Sequence, residues 1–344
     1  MNRDQRQYES MRFQNLHRKE YFEGWYYKQV TSDQRTVICL IPGLSVHAGK
    51  VSPFVQINFT EKIGDTWHQT TDWLDYAALR SQDEPFMIQL GENIFRRDGI
   101  SIAYHGAQMQ VTGELDFQDA ITLPASRWAP SIMGPFAYLP GMECIHSVIS
   151  LSHNIEGSLQ INGRSVDFTQ GKGYIEKDWG SSFPKRYVWM QSNHFAKEGS
   201  FFFSWADIPL LGMCFHGYIA HLYYQGKHHR FATYTLGGCK LQAVEHGVEI
   251  ILTNRDCELQ ITATQTVGAE LIAPYRGEMI HAIKEGLYGH LSFCLKQQGS
   301  NLPQSDQAEM AGIEFVWGKD EQHVQSVYAS YYPDSKNGGY PDRR

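Results

Sequence analysis

Three features of this 344-residue chain predict an all-β protein made of two barrel or sandwich domains. Short strand-like runs recur from end to end, no long amphipathic helical pattern interrupts them, and aromatic residues reach 13%. Aromatic side chains suit the pleated, half-buried surface of a sheet. Short strands set apart by Gly-, Pro- and Asp-marked turns are the pattern of sandwiches and barrels. The length suits two domains.

The first strand is the aromatic run Glu23–Val30, closed by the polar turn Thr31–Arg35. Thr36–Ile41 follows and is expected to end at Pro42-Gly43. Next come Phe54–Thr60, a charged turn Glu61–Asp65, and Thr66–Leu79. Phe86–Leu90, Ile100–His105 and Met109–Phe117 alternate apolar with polar residues, and Asp98-Gly99 and Asn162-Gly163 are turn signals.

The second half repeats this order. Arg186–Phe195 has the character of Glu23–Val30, Ser200–Ala206 answers Thr36–Ile41, and Gly217–Tyr224 answers Phe54–Thr60. His228–Thr235 parallels Trp67–Leu74, and the late words Val111–Phe117 and Leu287–Phe293 are alike. So long a period excludes a solenoid and predicts two homologous β domains. Pro124–Gly141 reads as a long crossing loop between them, with a further boundary near Gly171-Lys172-Gly173. The expected division is 10–165, 166–334 and a flexible tail at 335–344.

A net charge of -7 with no basic run argues against nucleic acid as a partner. The longest apolar stretch, around Ile208–Phe215, is too short to cross a bilayer, and Met1–Glu20 lacks the apolar region of a signal peptide. A cytoplasmic location is expected. The six cysteines, Cys39, Cys144, Cys214, Cys239, Cys257 and Cys294, form no C-x-x-C pair and read as unpaired thiols. Nucleophile-elbow, Walker, dinucleotide and H-E-x-x-H motifs are absent. His216, His221, His228 and His229 lie close in sequence, but His216 and His221 fall on opposite strand faces, so no metal is expected. Asn58-Phe59-Thr60 fits the glycosylation pattern only by chance.

The chemistry concentrates in Gly173–Pro184 and the following Trp189–Phe195. With Tyr174–Trp179 extended, Glu176 and Asp178 share a face and Lys177 points away. Two carboxylates on one face repel, so one should hold a proton near neutral pH and serve as a general acid. Trp189, Gln191 and Asn193 share a face of the next strand, and Glu23, Trp25 and Tyr27 share one near the N-terminus. The competing structural reading pairs the carboxylates with Lys177, Lys185 or Arg186 to hold a domain junction.

Phe22-Glu-Gly-Trp-Tyr-Tyr-Lys28 resembles the F-E-G-W-Y-F-K opening of the tocopherol cyclase family. Trp189-x-Gln191-x-Asn193-x-Phe195 resembles its W-x-Q-x-N-x-F strand, and Glu176–Gly180 is like the E-K-D-W-G word of bacterial members. Ala273-Pro274 and the Gly289–Leu295 strand are similar to the family's C-terminal portion, so the likeness spans roughly residues 20–296. It implies two packed lipocalin-like β-barrels. It also implies acid-catalysed closure of a chromanol ring from a prenylated quinol, with no cofactor. In that reading Asp178 or Glu176 is the acid, Trp25, Trp179 and Trp189 line the site with Glu23, and Gln191 and Asn193 bond the head group. The expected partner is a hydrophobic small molecule, with peripheral membrane contact allowed and no obligate protein partner. Two alternatives stand beside it: a non-catalytic carrier of a prenyl lipid, and another acid-catalysed enzyme on prenyl or terpenoid substrates.

Overall fold

The computed structural model describes residues 17–316, except 78, 127, 140, 211–212 and 301. Among the described residues there is no α-helix, and the chain runs almost wholly through strands. The first sheet opens with a meander of β1 (Glu20–Val30), β2 (Thr36–His47), β3 (Lys50–Ile63) and β4 (Thr66–Asp75). The short strands β5 (Leu79–Gln82), β6 (Met87–Leu90), β7 (Asn93–Arg96) and β8 (Gly99–His105) follow. The sheet is completed by β9 (Gln110–Ile121), β10 (Cys144–Ile161), β11 (Arg164–Asp167) and β12 (Lys172–Gly180).

The second sheet begins with β13 (Tyr187–Ser192), β14 (His194–Phe195), β15 (Gly199–Leu210), β16 (Met213–Tyr224) and β17 (Lys227–Ala232). It continues through β18 (Gly238–Val244), β19 (Gly247–Thr253), β20 (Cys257–Thr264) and β21 (Ala269–Tyr275). The long β22 (Glu278–Gln297) and β23 (Gln304–Val316) close it.

Both sheets follow one plan. In each, a four-strand meander runs outward from the first strand, and the last strand returns to pair with that first strand. Thus β12 lies between β1 and β10, and β23 lies between β13 and β22. Each antiparallel sheet curls around its own apolar core, the first holding Trp25, Tyr27 and Phe95, the second Phe203, Trp205 and Phe231. A third apolar cluster, with Tyr174, Trp189 and Phe202, fills the space where the sheets meet.

Four details depart from the sequence expectation. Pro42-Gly43 does not end its strand, because β2 keeps pairing with β3 through Val46 and loses only the ladder to β1 beside Pro42. A proline lacks one donor, so it interrupts one side of a central strand. Gly43 lets the strands close up, since a Cβ there would stand 2.8 Å from Phe54. The matching late words occupy non-equivalent strands, β9 and β22, whereas the topological partner of β22 is β10.

The segment Pro124–Gly141 does not cross between domains. It joins the neighbouring strands β9 and β10 and folds over the seam, where Tyr234 donates to the Ile132 carbonyl at 2.7 Å. The strand β12, placed by sequence in the second half, pairs on both sides within the first sheet. The chain changes sheets only after Gly180. The proposed 335–344 tail lies outside the described residues.

Candidate functional site

Strict alternation makes β1 and β12 two-faced walls. Their register sets Gly24 beside Asp178, Trp25 beside Lys177 and Tyr26 beside Glu176. One face, with Tyr26, Tyr174, Glu176 and Asp178, looks into the seam between the sheets; the other looks into the first sheet's core. An apolar pocket of about 870 Å³, counting its mouth, opens on the seam side. Its walls include Phe22, Phe54, Phe183, Trp189 and Leu271, and Tyr26 meets Trp189 edge-on at 5.4 Å.

The polar groups of this pocket gather at one corner. His146, on β10, stands with Nδ1 3.0 Å from Glu176 Oε1 and in direct contact with Asp178 Oδ1. Tyr174 donates its hydroxyl to Glu176 Oε2 at 2.6 Å, and the Trp189 indole donates to the same oxygen at 3.1 Å. Burial, with the Asp178 charge second, pushes the Glu176 carboxyl up to about 7. For His146 burial opposes the charge, but Asp178 and Glu176 outweigh it and raise the imidazole to about 10. The cluster therefore carries a proton on His146 and a second that Glu176 shares near neutrality, the range in which a general acid works best.

A second carboxyl faces the pocket from the other sheet. Glu314 on β23 accepts a hydrogen bond from Tyr187 at 2.6 Å. Burial, and then the neighbouring Glu285, hold it well above its ordinary value. Glu285, paired with it across the ladder, is bonded by Tyr26 and by Asn58 at 2.9 Å and is also raised by burial. Asn58 is fully buried in this bond, which removes it as a glycan acceptor.

Of the residues singled out from sequence, Glu176, Asp178 and Trp189 meet at this corner. Glu23 and Trp25 contribute to the β1 wall, yet their side chains turn into the first core. There Glu23 binds Lys177 at 2.6 Å, and the Lys177 ammonium lies over both Trp25 and Trp179. Gln191 and Asn193 share the seam with Trp189 but are not part of the pocket wall. Gln191 accepts from Lys28 at 3.1 Å, and Asn193 donates to the Gly173 carbonyl at 2.8 Å.

Of the cations in the competing structural reading, Lys177 pairs with Glu23 at 2.6 Å and Arg186 with Asp207 at 2.5 Å. His146 and Glu314 were missed. The available signal was a titratable residue inside an otherwise uncharged strand run, as in Ile145-His-Ser-Val148 and Ile313-Glu-Phe-Val316.

Donor atoms of Cys144, His146 and Asp178 lie within 4.8 Å of one another, a spacing that a cation could bridge. Burial and the adjacent carboxylates push the Cys144 thiol well above its ordinary value, and His146 Nδ1 is taken up by the two carboxylates. The set holds protons better than it offers a thiolate. All six cysteines are unpaired, and no described helix is long and apolar enough to cross a membrane.

A family profile described as tocopherol cyclase-like matches residues 114–316. No curated protein sequence matches the chain. Solved structures share its fold at low identity. A protein described as AttH from Nitrosomonas europaea is 13% identical with a TM-score of 0.51, covering 87% of this chain and 93% of that one. Kievitone hydratase from Nectria haematococca is 11% identical with a TM-score of 0.50, covering 86% and 88%. CghA, solved with Sch210972, is 10% identical with a TM-score of 0.54, covering 87% and 89%.

Proposed function

The chain belongs to the tocopherol cyclase-like family, and from that premise we propose that it is an acid-catalysed enzyme acting on a prenyl or terpenoid alkene, closing a chromanol ring on a prenylated quinol. One observation carries the reading: the proton-sharing cluster of His146, Glu176 and Asp178 stands at the edge of an apolar, aromatic pocket. Protonating an unactivated alkene needs a positioned acid and an environment that stabilises a carbocation without water. The faces of Trp189, Tyr26 and Phe54 offer that stabilisation.

The reaction balances within the substrate. The cluster gives a proton to one alkene carbon, leaving a tertiary cation on the other. The phenol oxygen attacks that carbon, a C–O bond forms, and the phenolic proton returns to a carboxylate of the cluster. Asp178 and Glu176 share the donor role through His146, and Glu314 with Tyr187 faces the polar head group from the opposite wall. Water taking the place of the phenol would give hydration, the reaction in the name of kievitone hydratase. The test is turnover of a prenylated hydroquinone to its isomeric chromanol, followed by chromatography at constant mass. Wild-type protein that binds the quinol without converting it overturns the enzymatic reading in favour of a carrier.

A further inference from the structure

Two buried carboxyls stand side by side in the second sheet, apart from the His146 cluster. Glu285 on β22 and Glu314 on β23 are directly opposite in the ladder, a setting that brings Cβ atoms to about 4.5–5.5 Å and makes like charges repel. Their surroundings differ. Glu285 is fully buried; Tyr26 donates to its Oε1, Asn58 donates to its Oε2 at 2.9 Å, and the buried Lys28 favours its charged form. A carboxyl with a donor on each oxygen and a cation nearby is the member suited to carry the charge. Glu314 instead lines the pocket. Its Oε2 accepts the Tyr187 hydroxyl at 2.6 Å, and among the described residues nothing bonds Oε1. The charges of Glu285 and, from the first sheet, of Glu176 and Asp178 all favour its protonated form. The cations of this region are engaged elsewhere, Lys28 with Gln191 and His146 with Glu176 and Asp178. The other titratable groups around the pair, Tyr26, Tyr187, Cys39 and Cys144, are kept neutral by burial.

We propose that Glu285 and Glu314 form a dyad holding one proton, in which Glu285 is the fixed carboxylate and Glu314 presents an O–H donor to an acceptor oxygen of the pocket's ligand. Glu314 is then the residue that selects for an oxygen at that wall. Glu285, which does not reach the pocket, is a positioning residue that keeps the proton on its neighbour. The inference rests on the reading of the seam pocket as the substrate site and adds a requirement to it. With the Tyr187 hydroxyl donating to Oε2, Oε1 is left to carry the proton toward the ligand. A buried donor left unpaired weakens binding, so an ether, carbonyl or hydroxyl oxygen is favoured there over a hydrocarbon group of the same shape. An ionised Glu314 would act oppositely, accepting from a hydroxyl and gaining nothing from an ether oxygen. The ligand class is therefore an alkene that also bears an acceptor oxygen, and not a plain hydrocarbon terpene.

The test uses the whole chain and two probes of one shape: a geranylated para-methoxyphenol and the matching para-ethylphenol, in which a methylene replaces the ether oxygen. Binding is read by quenching of tryptophan fluorescence across pH. At neutral pH wild type should bind the methoxy probe about tenfold more tightly. That preference should fade as pH rises and Glu314 gives up its proton. Glu285→Gln removes the neighbouring charge, so the fade should come at lower pH. Glu314→Gln keeps an N–H donor that does not titrate, and its preference should persist at every pH. Glu314→Leu should abolish the preference. Equal affinity of wild type for both probes overturns the dyad, as does a preference that survives in Glu314→Leu melting like wild type. If the leucine variant fails to fold, a preference that still fades with pH in Glu314→Gln overturns it instead. An unshifted fade in Glu285→Gln removes the positioning role and with it the dyad. Turnover on the same samples separates the two readings. Conversion without an oxygen preference sinks the dyad alone. A preference governed by Glu314, with no conversion by any form, keeps the dyad and sinks the enzymatic reading. Binding of neither probe sinks both.

Discussion

Three consecutive residues of β12 belong to two different environments. Lys177 points into the first core, where Glu23 matches its charge at 2.6 Å and both side chains are 1% exposed or less. Glu176 and Asp178, on either side of it in sequence, point into the seam, where two carboxylates share the single imidazole of His146. The inner pair balances one charge with one charge and is sealed between Trp25 and Trp179. The outer cluster has more acid than base, so burial retains protons there, beside a cavity that can receive a ligand. The same residue types thus serve packing where charges cancel and proton chemistry where they do not.

The sharpest way to break this comparison is to remove a charge from each face in turn. Asp178→Asn keeps the side chain's shape and should lower turnover by about 10²–10⁴, the usual contribution of a positioned acid, with little change in melting temperature. The alkaline limb of its pH profile should move to lower pH, because Asp178 supports the proton on both His146 and Glu176. A rate and profile equal to wild type would relocate the acid away from this cluster.

On the inner face the effect should appear in stability. Lys177→Met leaves the Glu23 carboxylate buried without its cation and should cost about 3–5 kcal/mol in urea denaturation. The double variant with Glu23→Gln should recover part of that loss. If the single variant costs as little as an exposed ion pair, the claim of a sealed pair fails. A smaller loss, about 1–3 kcal/mol, is expected for Tyr187→Phe, which deprives buried Glu314 of its hydroxyl donor.

The pH dependence of stability sharpens the contrast further. The folded-state value of Glu176 lies near 7 against an ordinary 4.5. Its contribution is complete below the unfolded value and is lost as pH rises through about 7. His153, buried between Ser150 and Gln29, is the opposite case, lowered by burial from 6.5 to about 3. Its contribution is complete above 6.5 and disappears as pH falls through 3. Melting temperatures should therefore lose a fall between pH 4.5 and about 7 in Glu176→Gln and a rise between about 3 and 6.5 in His153→Gln. Unchanged curves in both would contradict the burial of these groups.

Much of this architecture was legible along the chain because strand alternation is local. The face shared by Glu176 and Asp178, the opposite setting of Lys177, and the common face of Trp189, Gln191 and Asn193 all follow from a period of two. The parallel order of Glu23–Val30 and Arg186–Phe195 with their following strands likewise announced two related sheets. Alternation cannot say which face meets a cavity. Tertiary pairing alone turned Glu23 and Trp25 inward, engaged Gln191 with Lys28, and brought His146 and Glu314 from β10 and β23 to the pocket. It also brought Ile132 to the seam, where Tyr234 bonds its carbonyl. Faces are set by neighbouring residues, but what a face confronts depends on the register and curl of strands far apart in sequence.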